Sequence, residues 1–379
     1  MSQLFTPLQL RDVTVRNRTV VAPMWQYRGQ QGMPTDWHLM HLSRFADGGA
    51  GIVFQEATAV ERRGCGTTGD IGIWDDSFIP AMTRLATAIK QCGSVPAIQL
   101  GHAGRKARTK LPMEGRGQLE RTPDIPDWDA WEPIAPSPVA LKKGLEPPRE
   151  MTQRDIADVV ASFAAAARRS REAGYEILEV HAAHGYLLHQ FLSPMTNRRT
   201  DSYGGDCTNR ARLLYEVVEA VRAEWPPHLP LFVRMSCVDG AGWEVDDTVA
   251  VSRELKRLGV DGIDCSSGGL VGSPLSAGKA PTYGYQVPYS AQVRAEADIT
   301  TMAVGLIVHA EQAEQIITDG HADLVALGRE ALHNPNWPFD AALKLGIEDP
   351  YQFLADTTGF WLRKRAQAVP ELEPSTFTI

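Results

Sequence analysis

The chain has 379 residues, 43% hydrophobic and 22% charged, with a net charge of −8; this mixture can bury a core and excludes a disordered chain, and the negative balance gives no general attraction for nucleic-acid phosphates or anionic lipid. No apolar run approaches the roughly 20 residues of a membrane helix, and residues 1–7 show neither a basic leader nor an apolar signal core, so a cytoplasmic protein without membrane or nucleic-acid partners is expected. The five cysteines, Cys65, Cys92, Cys207, Cys237 and Cys265, are scattered and form no C-x-x-C pair, which points to reduced thiols rather than a disulfide framework or a zinc site.

In chain order, strands are predicted at residues 20–24, 51–57, 96–100, 176–181, 231–236, 262–267, 301–307 and 324–328. Continuous apolar runs such as Gly51-Ile52-Val53-Phe54 suit parallel strands covered on both faces. Between the strands lie helical patterns. The clearest covers 151–173, with Thr152 as N-cap and Gly174 just past its end; a shorter one over 312–318 stops at Asp319-Gly320. Eight strand–helix units predict a single (β/α)8 barrel over residues 1–348. A doubly wound open sheet would normally carry a G-x-G-x-x-G turn after an early strand, and the sequence has none there.

Two stretches break the rhythm. Residues 103–150, rich in proline, glycine and charge and holding Trp128 and Trp131, follow the third strand at its C-terminal end. Barrel enzymes keep their chemistry on that face, so this excursion is expected to wall an active site. Residues 349–379 form a C-terminal arm with Gly359-Phe360-Trp361-Leu362-Arg363; its aromatic pair either caps the barrel or docks on a neighbouring subunit.

Polar residues at the C-terminal strand ends are the candidates for function. They bring Tyr27, Gln99, His181, His184, Tyr186 and Arg234 to one face, with no Asp or Glu pair among them. His181 and His184 have a spacing that can hold a metal, but no strand end supplies an obvious carboxylate as third ligand. A metal-dependent hydrolase or lyase is therefore the alternative of a different class, and no metal site is predicted. Two neighbouring imidazoles can instead donate N–H bonds to one oxygen that gains negative charge, where a single donor is worth about 2.7–4 kcal/mol. Gly305 and the pair Gly328-Arg329, after the seventh and eighth strands, fit a phosphate site. A phosphate site without paired carboxylates or a nucleophile motif suggests a phosphate-bearing cofactor.

The runs Ala22-Pro23-Met24 with Tyr27, His102-Ala103-Gly104-Arg105-Lys106, His181-Ala182-Ala183-His184-Gly185-Tyr186-Leu187, Phe191-Leu192-Ser193-Pro194 and Asn197-Arg198-Arg199-Thr200-Asp201-Ser202-Tyr203-Gly204-Gly205 occur in that order. Together they resemble the old yellow enzyme family over nearly the whole chain, with most likeness to its xenobiotic reductase, or thermophilic-like, branch. The resemblance implies non-covalent FMN at the top of the barrel, reduced by NADPH or NADH. It implies hydride transfer to an alkene conjugated to a carbonyl or nitro group. His181 and His184 would bind the substrate oxygen, Tyr186 would donate the proton and Tyr27 would line the substrate pocket. Pro23, Met24, Ala57, Gln99 and Gly268 would contact the cofactor, Arg234 would face N1 of the flavin, and Gly305, Gly328 and Arg329 would hold its phosphate. Trp361 or Arg363 would enter a neighbouring subunit's pocket, implying a homodimer or higher oligomer. The same barrel also supports a flavin dehydrogenase or desaturase, or a nitro or aromatic reductase.

One position departs from that branch, which places cysteine after the Pro-Met of the first strand; here it is Trp25. An indole is far larger than a thiol, has one N–H donor and lacks thiol redox chemistry. Trp25 is expected first to reshape a narrow, aromatic-lined pocket, with stacking near the flavin, or an altered protein, as the other readings. Arg105, Lys106, Arg108 and Lys110 could meet the 2′-phosphate of NADPH or form ordinary solvated surface.

Overall fold

Eight parallel strands close on themselves in chain order: β1 Thr19–Val21, β2 Ile52–Ala59, β3 Val95–Gly101, β4 Ile177–Ala182, β5 Leu231–Ser236, β6 Gly262–Ser266, β7 Thr300–Val304 and β8 Leu324–Leu327. The closing pair sets Val325, Ala326 and Leu327 of β8 beside Thr19, Val20 and Val21 of β1. This is a computed structural model, and it describes residues 2–115, 117–270 and 281–369. The predicted (β/α)8 barrel is borne out. The expected 20–24 strand stops at Val21 because Pro23, two residues on, has no N–H for a ladder. The expected 301–307 strand stops at Val304 because Gly305 takes a φ of 122° and leaves the extended region.

Side chains alternate between the inside of the barrel and the helices outside. The lower interior is apolar, with Val20, Ile52, Phe54, Ala97, Ile177, Phe232 and Met302 packed together and Leu10, Val13 and Val15 of an N-terminal hairpin beneath them. Two residues further along the same strands the interior turns polar: Gln99 follows Ala97, Glu179 and His181 follow Ile177, and Arg234 and Ser236 follow Phe232. All are buried. The outward residues pack against helices such as α1 Asp36–Asp47, α2 Ile79–Gln91 and α3 Gln153–Glu172.

α3 begins where its cap dictates. Thr152 accepts the Asp155 N–H at 3.1 Å, and Asp155 accepts the Thr152 N–H at 2.8 Å, so two otherwise unpaired amides are satisfied reciprocally. The same Asp155 carboxylate binds Arg149 and Arg63, at 2.8 and 2.9 Å, and so pins the end of the excursion that follows β3. The middle of that excursion is held by Trp131, fully buried, whose Nε1 donates to the Cys65 carbonyl at 2.8 Å under the Arg62 guanidinium. Of the predicted C-terminal arm, residues 370–379 lie outside the described residues. The rest forms a short turn at Pro350–Phe353 and a helix, Asp356–Ala368. Gly359 lets this helix approach closely, since a Cβ there would lie 2.7 Å from the Tyr351 carbonyl oxygen. Thr358 adds a hydrogen bond to Asp47 at 3.0 Å.

Candidate active site

β4 delivers His181 into the top of the barrel, and the chain then turns sharply. His184 has a φ of 57°, a left-handed conformation costly for a residue with a side chain. Its N–H donates to Ser236 Oγ at 2.9 Å, and its carbonyl accepts from Lys106 Nζ at 2.5 Å. Gly269 backs directly onto this turn, where a Cβ would stand 2.4 Å from His184 Cα. The two imidazoles thus meet edge to face, with centroids 5.3 Å apart.

One backbone hydrogen bond assigns the ring proton of His181. His181 Nδ1 accepts the Ala183 N–H at 3.4 Å, which puts the proton on Nε2. His184 Nε2 lies 2.7 Å from Ser266 Oγ, which also has Gln286 Oε1 as an acceptor at 3.4 Å. Burial, and then the positive charge of Arg234, hold both imidazoles well below the usual histidine range. Both rings are therefore neutral near pH 7 and can donate an N–H without carrying charge into the site.

Tyr186 and Trp25 complete an aromatic cluster over the pair. The Tyr186 ring lies 5.1 Å from His181 and 4.9 Å from Trp25, while Lys106 Nζ sits 4.8 Å above its face. Trp25 Nε1 is buried and has no hydrogen-bond partner among the described residues. Trp25, Tyr27, Tyr186 and His184 open onto a cleft of about 830 Å³ that runs beneath the excursion past Arg105, Lys106, Arg108 and Lys110. Between Trp25, Ala57, His181 and Tyr186 themselves the free space is only about 10 Å³. Trp361 lies on the outer face of its helix, 65% exposed, and Arg363 pairs with Asp349 at 2.8 Å, so neither enters the cleft of its own chain.

Beneath the histidines lies a layer that the strand-end reading missed. Gln99 Nε2 donates to Glu179 Oε1 at 2.7 Å, and Arg234 Nε stands 3.0 Å from Asp264 Oδ2. Neither carboxyl closes its strand, so the strand ends alone show no carboxylate pair. Counting back by two from His181 and Ser266 would have found Glu179 and Asp264 on the inward face. Ser236 and Ser266 close their own strands, and only the tertiary contacts show that they fix His184.

The remaining predicted residues ring this layer. Ala57 faces His181 across Gly101, where a Cβ would meet both at 3.5–3.9 Å. Met24 lies beside Gly328, its Sδ 4.0 Å from where a Cβ would stand. Pro23 follows β1, Gly268 accepts from Ser236 Oγ at 2.8 Å, and Gly305 and Gly328 follow β7 and β8 with Arg329 exposed at the rim. The donor set suits a flavin. Arg234 makes no hydrogen bond through its terminal amino groups, and Gln99 Oε1 makes none either, among the described residues. A guanidinium fork and an amide oxygen match the acceptor and donor positions of a pyrimidine edge. Among the described residues, no three His, Cys, Asp or Glu side chains gather as a metal cage.

Comparison with known proteins agrees with this geometry. A sequence model of the NADH:flavin oxidoreductase / NADH oxidase family matches residues 3–348, and the chain belongs to that family. It is accordingly an NAD(P)H-dependent flavin oxidoreductase with FMN as cofactor. It is 42% identical over 360 residues to an NADPH dehydrogenase of Listeria monocytogenes serotype 4b, covering 93% of this chain and 98% of that one. It is 42% identical over 349 residues to an NADPH dehydrogenase of Geobacillus, covering 91% and 95%. Among solved structures, morphinone reductase superposes with a TM-score of 0.75 at 28% identity over 90% of each chain. An old yellow enzyme homologue of Zymomonas mobilis, at 24% identity and a TM-score of 0.73 over 90% of this chain and 92% of that one, shares the fold. The predicted family, enzyme class and cofactor are borne out.

Proposed function

We propose that the chain adds a hydride and a proton across an alkene conjugated to a carbonyl or nitro group, with NADPH or NADH as reductant. Gln99 and Arg234 would hold the pyrimidine edge of FMN and Gly305, Gly328 and Arg329 its phosphate, and the flavin, reduced by the nicotinamide, would supply hydride for the β-carbon. His181, through Nε2–H, and His184 bind the substrate oxygen. Because both imidazoles are neutral donors, they strengthen their hold as that oxygen becomes negative, which lowers the barrier at the β-carbon. Tyr186, packed on His181, carries the hydroxyl that protonates the α-carbon. Trp25 walls the approach to this pair and selects which alkenes reach it.

The observation that carries this reading is the pair of neutral imidazoles packed beside a tyrosine, with His184 and Tyr186 lining a large cleft. The relatives named NADPH dehydrogenase favour NADPH as reductant. The chain also assembles as a dimer or higher oligomer in which the exposed Phe360 and Trp361 face reaches a neighbour. Anaerobic assays with 2-cyclohexenone, maleimide and a nitroalkene test the reaction. Oxidation of the NADPH-reduced enzyme by the activated alkenes is expected; if none of the three reoxidises it, the reading is abandoned.

A further inference from the structure

Glu179 and Asp264 take no part in the reaction as described, yet both are fully buried beside the one guanidinium on the barrel floor. The register explains how they meet. Glu179 is level with Gln99 on β3, and Asp264 is level with Arg234 on β5. Asp264 is the counter-ion of Arg234, 3.0 Å from its Nε, whereas Glu179 faces a neutral amide. Glu179 Oε2 has no hydrogen-bond partner among the described residues.

We propose that Glu179 is a positioning residue for the flavin's pyrimidine ring: it holds the Gln99 amide with its carbonyl oxygen free, and by keeping a proton it leaves Arg234 with one counter-charge rather than two. This rests on the reading that Gln99 and Arg234 contact the flavin. An amide can present either its NH2 or its oxygen to a ligand. With the retained proton on the unpartnered Oε2, Glu179 Oε1 accepts from Gln99 Nε2 at 2.7 Å and turns the oxygen of Gln99 toward the ring's N–H. The charge argument is equally direct. With both carboxyls ionised the floor would carry a net charge of −1 and oppose any negative charge arriving on the ring above; with one proton retained it is neutral. Burial raises both carboxyls, and the proton is placed on Glu179 because Arg234 stands 3.0 Å from Asp264 whereas Glu179 meets a neutral amide. Burial first, and then the neighbouring Asp264, push Glu179 up to about 8 against the opposing pull of Arg234 and Gln99. The groups facing it are Gln99 from β3, Arg234 from β5 and Asp264 from β6, with the neutral ring of His181 above it on β4.

The test measures FMN affinity of the apoprotein by flavin fluorescence and the midpoint potential of the holoenzyme from pH 6 to 9.5. In the wild type the potential should fall more steeply with pH above about 8, because a flavin gaining negative charge raises the affinity of Glu179 for its proton. Glu179→Gln keeps an acceptor for Gln99 and cannot ionise. It should bind FMN within about threefold of wild type and lose the steepening. Glu179→Leu releases the amide and should weaken FMN binding about tenfold, the worth of one hydrogen bond at the upper end of its range. Parallel potential–pH lines for wild type and Glu179→Gln, or Glu179→Leu binding FMN as well as wild type, overturn the proposal. Gln99→Ala separates the two levels. If it weakens FMN while the Glu179 variants behave as wild type, only this proposal fails. If it binds FMN unchanged, the assignment of the flavin site fails as well.

Discussion

Individual side chains at the head of the barrel have separable duties, and their removal should show in different half-reactions. His184→Ala removes one donor to the substrate oxygen and should lower kcat/KM for an enone by roughly 10²–10³, while reduction of the enzyme by NADPH stays within a fewfold. Rapid-mixing measurements of the two half-reactions separate these effects; equal losses in both would mean that His184 acts on the fold and not on the acceptor. Trp25 stacks on Tyr186 4.9 Å away and approaches His181. Trp25→Cys should therefore open the site to bulkier alkenes and move the flavin potential. An unchanged acceptor profile together with an unchanged potential would remove Trp25 from the site.

Elements position these residues, and their stability can be tested independently of catalysis. Trp131 is the largest fully buried side chain of the excursion among the described residues. Trp131→Ala should cost about 3–5 kcal/mol in denaturant unfolding and raise KM for acceptors more than it lowers kcat, because the excursion roofs the cleft. On α1, burial and then Arg44 push His41 down to about 3. The folded His41 stays neutral where the unfolded chain, with an ordinary value near 6.5, takes up a proton. The fold thus binds fewer protons below pH 6.5 and loses stability as pH falls. Buried carboxyls displaced upward, Glu56 and Asp70 among them, act in the opposite sense, so the useful measurement is a difference. Relative to His41→Gln, wild type should lose roughly 2 kcal/mol between pH 6.5 and 5. A constant difference in Tm across that range would show that His41 titrates normally in the fold.

At the scale of the whole molecule, the closed barrel buries the strand edges and leaves the outer face of the C-terminal helix with Phe360 and Trp361 exposed at 49% and 65%. If this face meets a neighbour, Trp361→Ala should lower the oligomeric state in light scattering at micromolar protein and raise KM for acceptors in parallel. An unchanged mass and KM would return Trp361 to the role of exposed surface.

The sequence by itself determined the barrel, the residues at the strand ends and the family. Strand–helix alternation, apolar runs and strand-end motifs are local properties, readable wherever the period of a segment sets which face is buried. All eight strands were legible for that reason, with bounds off by one or two residues at most of them and by more only where Pro23 and Gly305 interrupt the backbone. Tertiary structure alone decided which polar side chains share a space. Closure of the barrel brings Gln99, Glu179, Arg234 and Asp264 from four strands onto one floor, and sets Ser236 and Ser266 against His184. Those contacts depend on the stagger between strands far apart in the chain, which no local pattern encodes.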